Sequence, residues 1–141
     1  MVSVALTFRP RIAALCLGLV LLAALATAAR YWSWYRSQPP AETDRGVVRL
    51  THPDPRLPAP RTGVQLANGS RVMVALAGVD DRDGRLVGHV TVRSPEGRTG
   101  TVDLGEGERR SVDGIELEAV HVWEMPDPGN DAIDLRVAAA T

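Results

Sequence analysis

The feature that most constrains this chain is a run of 18 residues without a charge, from Ile12 to Ala29. As an α-helix this run would be about 27 Å long, close to the thickness of the hydrocarbon core of a bilayer. The sequence therefore predicts a transmembrane helix over residues 12–35. Its membrane-interface residues are four of the five Trp and Tyr residues, which follow the run where amphipathic rings prefer to lie: Tyr31, Trp32, Trp34 and Tyr35.

The same segment also fits a secretory signal peptide. Residues 1–11 form a short basic segment, and the sequence around Ala28 has the small residues of a cleavage site. The apolar run is longer than the core of a usual signal, and a cleaved signal has no use for the aromatic residues beyond it. We therefore favour an uncleaved anchor. Cys16 is interpreted as a small apolar residue of the helix rather than a lipid-attachment site, because Leu15 precedes it.

The arginines around the run leave its orientation nearly balanced. Arg9 and Arg11 precede it, whereas Arg30, Arg36 and Arg45 follow it. A short basic segment before an apolar core is the usual arrangement of export signals, so we favour a cytoplasmic N-terminus. The expected location is the cell membrane, as a single-pass protein with its remaining residues outside the cytoplasm. Cleavage near the end of the run would instead release a secreted protein.

Residues 36–61 are predicted to form a proline-rich tether. Six of the ten prolines lie here, and proline favours extended backbone in itself and in the residue before it. The stretch 46–51 interrupts the prolines with an apolar alternation. Within it, Val47–Leu50 is a candidate edge strand of the domain that follows.

Residues 62–141 are predicted to form a β domain. Short apolar alternations are separated by turn residues roughly every 8–12 positions, and no helical period follows the membrane segment. Asn68-Gly69 predicts a type I′ hairpin, and turns are also expected at Ser94–Gly97 and Asp113-Gly114. The predicted fold is all-β: a small antiparallel sandwich or partly open barrel of about seven strands, preceded by one N-terminal transmembrane helix.

Charge and aromatic content exclude some classes of ligand. From residue 46 onward there are eleven arginines and fifteen acidic residues, and the chain has no lysine. A domain with this negative balance lacks the basic surface that nucleic-acid binding needs. Trp123 is the sole aromatic residue of the β domain, so stacking platforms are hard to build. We expect no nucleic-acid partner and disfavour a carbohydrate ligand.

Two acidic loops are the candidate metal sites, because hard cations such as calcium take several carboxylate oxygens. In the first loop Val90 stands where a calcium-binding loop has its glutamate, and Asp83-Gly84 is typical of a hairpin turn. We therefore favour solvated turn carboxylates, with no metal and no other cofactor, and keep a calcium-stabilised surface module as the alternative. The candidate ligands are Asp80, Asp81 and Asp83 in the first loop and Asp127 and Asp131 in the second.

No arrangement of residues points to catalysis. The spacings of serine hydrolases and zinc proteases are absent, and the only cysteine lies in the predicted helix. His121 is the remaining candidate for a general base, but apolar residues on both sides of it favour a partly buried, hydrogen-bonded histidine or a β-bulge. Trp123, two residues on, is interpreted as a core residue, and His89 is expected to face water. We expect that the protein is not an enzyme.

Turn-and-strand patterns recur through residues 70–138, at Ser94–Gly97, Leu104–Glu108, Val112–Ile115 and Asp131–Val137. In these patterns the chain resembles uncharacterised small β domains of secreted or membrane-tethered proteins from GC-rich bacteria. The resemblance implies a tethered β domain and brings no catalytic residue with it. The sequence as a whole predicts a membrane-anchored protein that displays an extracytoplasmic β domain as a protein-binding or accessory module.

Overall fold

The computed structural model describes residues 10–42 and 44–140, which form two compact units divided after Arg36. The first unit is the helix α1 (Pro10–Arg36). Its residues Ala13–Arg36 are long and apolar enough to cross a membrane, with a mean hydropathy of 2.0. Its large aliphatic side chains, from Leu15 to Leu25, are 55–69 % exposed. Residues 1–9 of the predicted basic segment lie outside the described residues.

The second unit contains eight antiparallel strands in two four-stranded sheets. Sheet A has the order β1-β8-β7-β6 and sheet B the order β2-β3-β4-β5, so the chain crosses between the sheets after β1 and after β5. The prediction of an all-β sandwich is confirmed, and the candidate edge strand becomes β1 at an edge of sheet A. The strands are β1 (Val48–Thr51), β2 (Thr62–Gln65), β3 (Arg71–Arg82), β4 (Arg85–Arg93), β5 (Thr99–Gly105), β6 (Arg109–Val112), β7 (Ile115–Trp123) and β8 (Ala132–Ala139).

The core lies between the inner faces of the two sheets, and its buried residues are all aliphatic. Alternation along each strand supplies it, because successive side chains of a strand point to opposite faces. Burying each large aliphatic side chain stabilises the fold by about 1.5–3 kcal/mol. The largest fully buried residues come from both sheets: Leu50, Leu104, Leu117, Ile133 and Leu135, with Val72, Val74, Leu76, Val90 and Val92.

Two Asp-Gly pairs form the tight hairpin turns of the sandwich. Asp83 and Gly84 join β3 to β4 with φ angles of 57° and 80°, and Asp113 and Gly114 join β6 to β7 with φ angles of 50° and 77°. Two consecutive positive φ angles define a type I′ turn, whose twist matches that of the paired strands. These pairs therefore fix the register of both hairpins.

The hairpin predicted at Asn68-Gly69 is present, but the predicted type I′ turn is wrong. Gly69 has a φ of 83°, whereas Asn68 is not among the residues with positive φ. Leu66 and Ser70 close a three-residue loop through the bond from the Leu66 N–H to the Ser70 carbonyl, 2.9 Å long. A loop of this length uses a type I turn followed by one left-handed glycine, so only the glycine needs a positive φ.

A β-bulge interrupts β7 at the position where the sequence allowed one. The pairing of β7 with β8 shifts between Ala119 and His121, which leaves Val120 as the extra residue. A bulge of this kind turns the following side chains toward the other face of the strand. His121 consequently lies opposite Asp134 of β8.

The second unit begins at Ser37, whereas the sequence placed the start of the β domain at residue 62. The predicted tether thus contains β1, and His52 lies within hydrogen-bond distance of two carbonyl oxygens. These belong to Ala77, 3.1 Å from its Nδ1, and to Leu57, 3.0 Å from its Nε2. Most of the proline-rich segment is therefore part of the folded domain.

The contact between the sheets can be tested at Gly88 in β4. A Cβ atom there would lie 2.7 Å from Cδ1 of Ile133 in β8. This distance is shorter than a van der Waals contact between two carbon atoms, so one of the two side chains would have to move. We expect Gly88→Ala to lower the free energy of unfolding by about 1–3 kcal/mol, as overpacking of a core does. Chemical denaturation in detergent solution measures this loss.

Two further variants make this test specific. Ile133→Val removes the clashing atom, so Gly88→Ala should cost less in that background than in the wild type. Gly78→Ala is the matched control, because nothing lies within 4 Å of a Cβ at Gly78. An equal loss from Gly88→Ala in both backgrounds would contradict the proposed packing.

Candidate functional site

The three carboxylates predicted for the first acidic loop serve the β3–β4 hairpin. Asp81 accepts a hydrogen bond from the Gly84 N–H at 2.7 Å, which is a turn contact. Asp80 lies on β3 with its Oδ2 2.8 Å from Nε2 of His89. Asp83 is exposed and occupies the first left-handed position of the turn. The three side chains thus have separate structural roles.

The two carboxylates of the second loop hold the segment between β7 and β8. Asp127 accepts a bond from the Gly129 N–H at 3.1 Å and begins the short 3-10 helix Pro128–Asn130. Asp131 is buried and accepts a bond from the Met125 N–H at 2.7 Å. Burial is the main reason that the pKa of Asp131 is raised above its ordinary value.

No metal centre emerges from these groups. Within residues 10–42 and 44–140, no three His, Cys, Asp or Glu side chains are arranged to hold a metal ion. Four of the five predicted carboxylates are already engaged by a backbone N–H or an imidazole. The calcium-stabilised module stays a prediction without support from this geometry.

On the outer face of sheet B, His89 lies between two carboxylates. Its Nδ1 is 2.6 Å from Oδ1 of Asp103 on β5, and its Nε2 is 2.8 Å from Oδ2 of Asp80 on β3. Arg82 binds the second oxygen of Asp103 at 3.0 Å. The side chain of His89 faces outward as predicted, but it is only 21 % exposed. The group ties together three neighbouring strands.

Both nitrogens of His89 can donate to their carboxylates only when the ring is protonated, because a neutral imidazole has a single N–H. The hydrogen bonds to Asp103 and then to Asp80 raise the pKa of His89 above its ordinary value. In return, the hydrogen bond from His89 lowers the pKa of Asp103. His89 is therefore a charged link whose strength depends on pH.

On the outer face of sheet A, Arg49 and Asp134 form a bidentate ion pair. The two residues lie directly opposite each other on β1 and β8. Nε and one terminal nitrogen of Arg49 each bind a different oxygen of Asp134 at 2.7 Å. The side chains are 17 % and 4 % exposed, so the pair is shielded from water. Burial raises the pKa of Asp134, but bonding to Arg49 outweighs burial and the net shift is downward.

Two aromatic rings of β7 complete this face. The indole Nε1 of Trp123 donates to Asp134 at 3.4 Å, and the ring of His121 lies 5.5 Å from that of Trp123. The interpretation of Trp123 as a core residue is wrong, because it lies outside the aliphatic core and binds a carboxylate instead. His121 is 43 % exposed, and its Nδ1 is 3.8 Å from Glu106, too far for a hydrogen bond.

The segment from Ser37 to Asp44, of which Thr43 is outside the described residues, lies against this face; we call it the strap. The third guanidinium nitrogen of Arg49 donates to the Pro40 carbonyl. Asn130 donates to Oγ of Ser37 at 3.1 Å, and Asp44 lies 4.0 Å from Arg136 on β8. The strap is thus attached by its first residue, by its middle and by its last residue.

A cavity of about 160 Å³ remains between the strap and sheet A. Its lining combines aromatic rings, a buried ion pair and apolar strap residues, and the described residues that line it include no cysteine and no hydroxyl group. The cleft combines apolar side chains with a few fixed polar groups, as ligand sites do, in a volume below the range of about 300–1,000 Å³ of such sites. The lining residues are Pro40, Ala41, Asp44, Arg49, His121, Trp123 and Asp134.

The four predicted membrane-interface residues lie in the last two turns of α1 and are 54–64 % exposed. They form two pairs. The members of each pair are three positions apart in sequence, and side chains at this spacing are neighbours on a helix. The ring centroids are 5.9 Å apart in the pair of Tyr31 and Trp34 and 6.5 Å apart in the pair of Trp32 and Tyr35. The guanidinium of Arg36 lies 5.8 Å from the ring centroid of Trp32.

Comparisons of the chain with protein-family models, with curated proteins and with solved structures found no match. The resemblance to β domains of GC-rich bacteria therefore stays a prediction. The class that the structure itself defines is a two-layer β sandwich that follows one long apolar helix.

Sequence reasoning selected His121 but missed its principal neighbours. Arg49 and Asp134 are 85 positions apart, so only the pairing of β1 with β8 shows that they meet. One signal was available: Asp134 stands between Ile133 and Leu135, and a charge within an apolar strand needs a partner. Nothing in the sequence marks Pro40 as a site residue, because its contact with Arg49 is made by its backbone carbonyl and not by its side chain.

The His89 link predicts a specific dependence of stability on pH. A folded-state pKa raised above 6.5 gives stabilisation that is full below pH 6.5 and is lost as the pH rises through the raised pKa. His89→Gln should remove this decrease in stability with rising pH. Asp80 and Asp103 are 63 % and 44 % exposed, so solvent screening limits each pair to about 0.2–1 kcal/mol.

Denaturation midpoints between pH 5 and pH 9 measure this dependence. Thr101→Ala, on the same outer face of sheet B, is the control and should retain the wild-type pH dependence. If wild type and His89→Gln follow parallel curves, the charged link does not contribute to stability.

The Arg49–Asp134 pair predicts strongly non-additive mutations. Arg49→Met leaves the Asp134 carboxylate buried without its charge partner, so we expect a loss of about 3 kcal/mol in the free energy of unfolding. The double variant Arg49→Met/Asp134→Leu should recover much of that loss, because it removes both charges. Urea denaturation of the two single variants and the double variant completes the cycle, and additive losses would contradict the pairing.

Proposed function

We propose that this protein is a single-pass membrane protein that displays its β domain outside the cytoplasm as a protein-binding or accessory module, with no catalytic activity. The exposed apolar surface of α1 carries the first half of the proposal. Residues Ala13–Arg36 are long and apolar enough to cross a bilayer, and their large aliphatic side chains from Leu15 to Leu25 are exposed. Such a surface is stable only in an apolar environment.

The cleft on sheet A supports the second half. It holds the backbone carbonyl of Pro40 on the guanidinium of Arg49, and Trp123 lines the same cleft. Aromatic-lined grooves are one way in which binding modules engage extended proline-rich chains. Among residues 10–42 and 44–140, the lining of the cleft includes no cysteine, serine or threonine that would act as a nucleophile. A binding role accounts for this combination of groups better than a covalent mechanism does.

Secretion after cleavage near Ala28 is the competing form of this proposal. Cleavage would remove most of α1 and leave the β sandwich without an anchor. The mass of the protein purified from membranes decides between the two forms, because the uncleaved chain has a mass of 15.1 kDa. Recovery of a shorter chain from the soluble fraction would replace the anchored form by the secreted one.

Display outside the cytoplasm is testable with one introduced cysteine. Cys16 is the only cysteine, so Cys16→Ala gives a background without thiols. Thr101→Cys in that background places a thiol on the exposed outer face of sheet B. We expect a membrane-impermeant maleimide to label this variant in intact bacterial spheroplasts as fully as in lysed ones.

The wild-type chain is the control, because Cys16 lies in the apolar part of α1 and should stay unlabelled in intact spheroplasts. Labelling of the Thr101→Cys variant only after lysis would place the β domain in the cytoplasm. That result would overturn the proposed display.

A further inference from the structure

The strap occupies the outer face of sheet A in the manner of a bound peptide. Pro39 and Pro40 restrict its backbone to extended conformations, since proline fixes its own φ and limits the residue before it. The Pro40 carbonyl accepts a bond from Arg49, and Pro40 and Ala41 line the same cavity as Trp123 and His121. The contact uses one backbone group and apolar side chains, and residues 37–42 and 44 of the strap form no strand with the sheet.

Charge follows the same division between strap and sheet. Glu42 and Asp44 on the strap are acidic, whereas Arg49 and Arg136 on sheet A are basic. Asp44 lies 4.0 Å from Arg136, and the carboxylate of Glu42 interacts electrostatically with Arg49. Each arginine also has a carboxylate partner on the sheet, Asp134 for Arg49 and Glu118 for Arg136, so the strap supplies a second acidic partner to each. An acidic extended segment would make the same two contacts.

Apart from Ser37, which is buried, and Pro39, which is half-buried, the described residues of the strap have exposed side chains. The contact at Asp44 is an exposed ion pair of the kind that contributes little stability. Its release would leave Arg49 bound to Asp134 through two nitrogens, with the third free to bind another carbonyl. The sheet face can thus exchange one segment for another without losing its own ion pair.

We propose that the outer face of sheet A is a docking site for an extended, acidic, proline-containing segment of a partner protein, which displaces the strap. The proposal names the ligand class for the binding module proposed above and rests on that function. The incoming backbone carbonyl replaces that of Pro40 on Arg49, and its proline lies beside Trp123. The cavity of about 160 Å³ accepts one ring-sized group, since a cavity of about 150 Å³ holds benzene.

The strap limits binding until it is displaced. A segment joined by a short linker competes at an effective concentration in the millimolar range, so a free peptide binds the wild-type chain weakly. Loosening the strap raises the fraction of open sites and tightens the apparent affinity by the same factor. The strap therefore acts as a built-in competitor that sets a threshold for the partner.

The test uses the full chain in detergent micelles and a fluorescent peptide with the sequence of residues 37–44. The variant Pro39→Gly/Pro40→Gly loosens the strap without changing sheet A. We expect this variant to bind the peptide about tenfold more tightly than the wild type, as a site released from a mostly closed state does. Adding His121→Ala should weaken binding, whereas adding Thr101→Ala, on the outer face of sheet B, should not.

A second peptide with glycine at both proline positions tests the ligand chemistry, and it should bind about tenfold more weakly because its unbound state is more flexible. The NMR signal of the Trp123 indole N–H confirms that each variant is folded. The same signal reports binding at the site, and it should shift with the proline peptide only. Equal affinity for the two peptides, equal affinity of wild type and loosened variant, or no binding at millimolar peptide would each overturn the proposal.

One other occupant is distinguishable in the same samples. If the loosened variant dimerises and the peptide leaves the dimer intact, the face binds the strap of a second copy and the proposed partner is wrong. The labelling of the Thr101→Cys variant in spheroplasts is independent of all these outcomes. Failure of peptide binding therefore leaves the test of membrane display unaffected.

Discussion

The bidentate pair between Arg49 and Asp134 organises the outer face of sheet A. It joins β1 to β8, receives the indole N–H of Trp123 and leaves one guanidinium nitrogen for the strap. A pair this well shielded from water needs each remaining polar atom to be bonded, because an unpaired buried charge is costly. Trp123 and Pro40 supply two of these further bonds, so the ion pair is the common partner of the aromatic wall and of the strap.

The outer face of sheet B shows a different use of charge. His89 lies between Asp80 and Asp103, and it can donate to both carboxylates at once only when its ring is protonated. This link is more exposed than the pair on sheet A and therefore contributes less stability. The outer face of sheet B thus carries a pH-dependent contact that contributes little stability. The outer face of sheet A carries a shielded ion pair beside a cleft.

Local rules explain what sequence reasoning could and could not predict. Asp83-Gly84 and Asp113-Gly114 were identified as turns, because two residues with positive φ suffice to close a hairpin. Asn68-Gly69 follows the same rule in sequence, but an added loop residue changed the turn type. Trp123 was assigned to the core from its apolar neighbours, yet the bulge after Ala119 and the partner on β8 decide where the end of β7 faces.

The sequence by itself determined the apolar helix, the all-β class and the position of most strands. These follow from composition and from periods of a few residues, which act along the chain without long-range contacts. The tertiary structure alone decided that the proline-rich segment belongs to the folded domain, that Arg49 meets Asp134 and that a cleft lies between them and the strap. Residues 85 positions apart become neighbours only through the order of strands in sheet A, and no local pattern encodes that order.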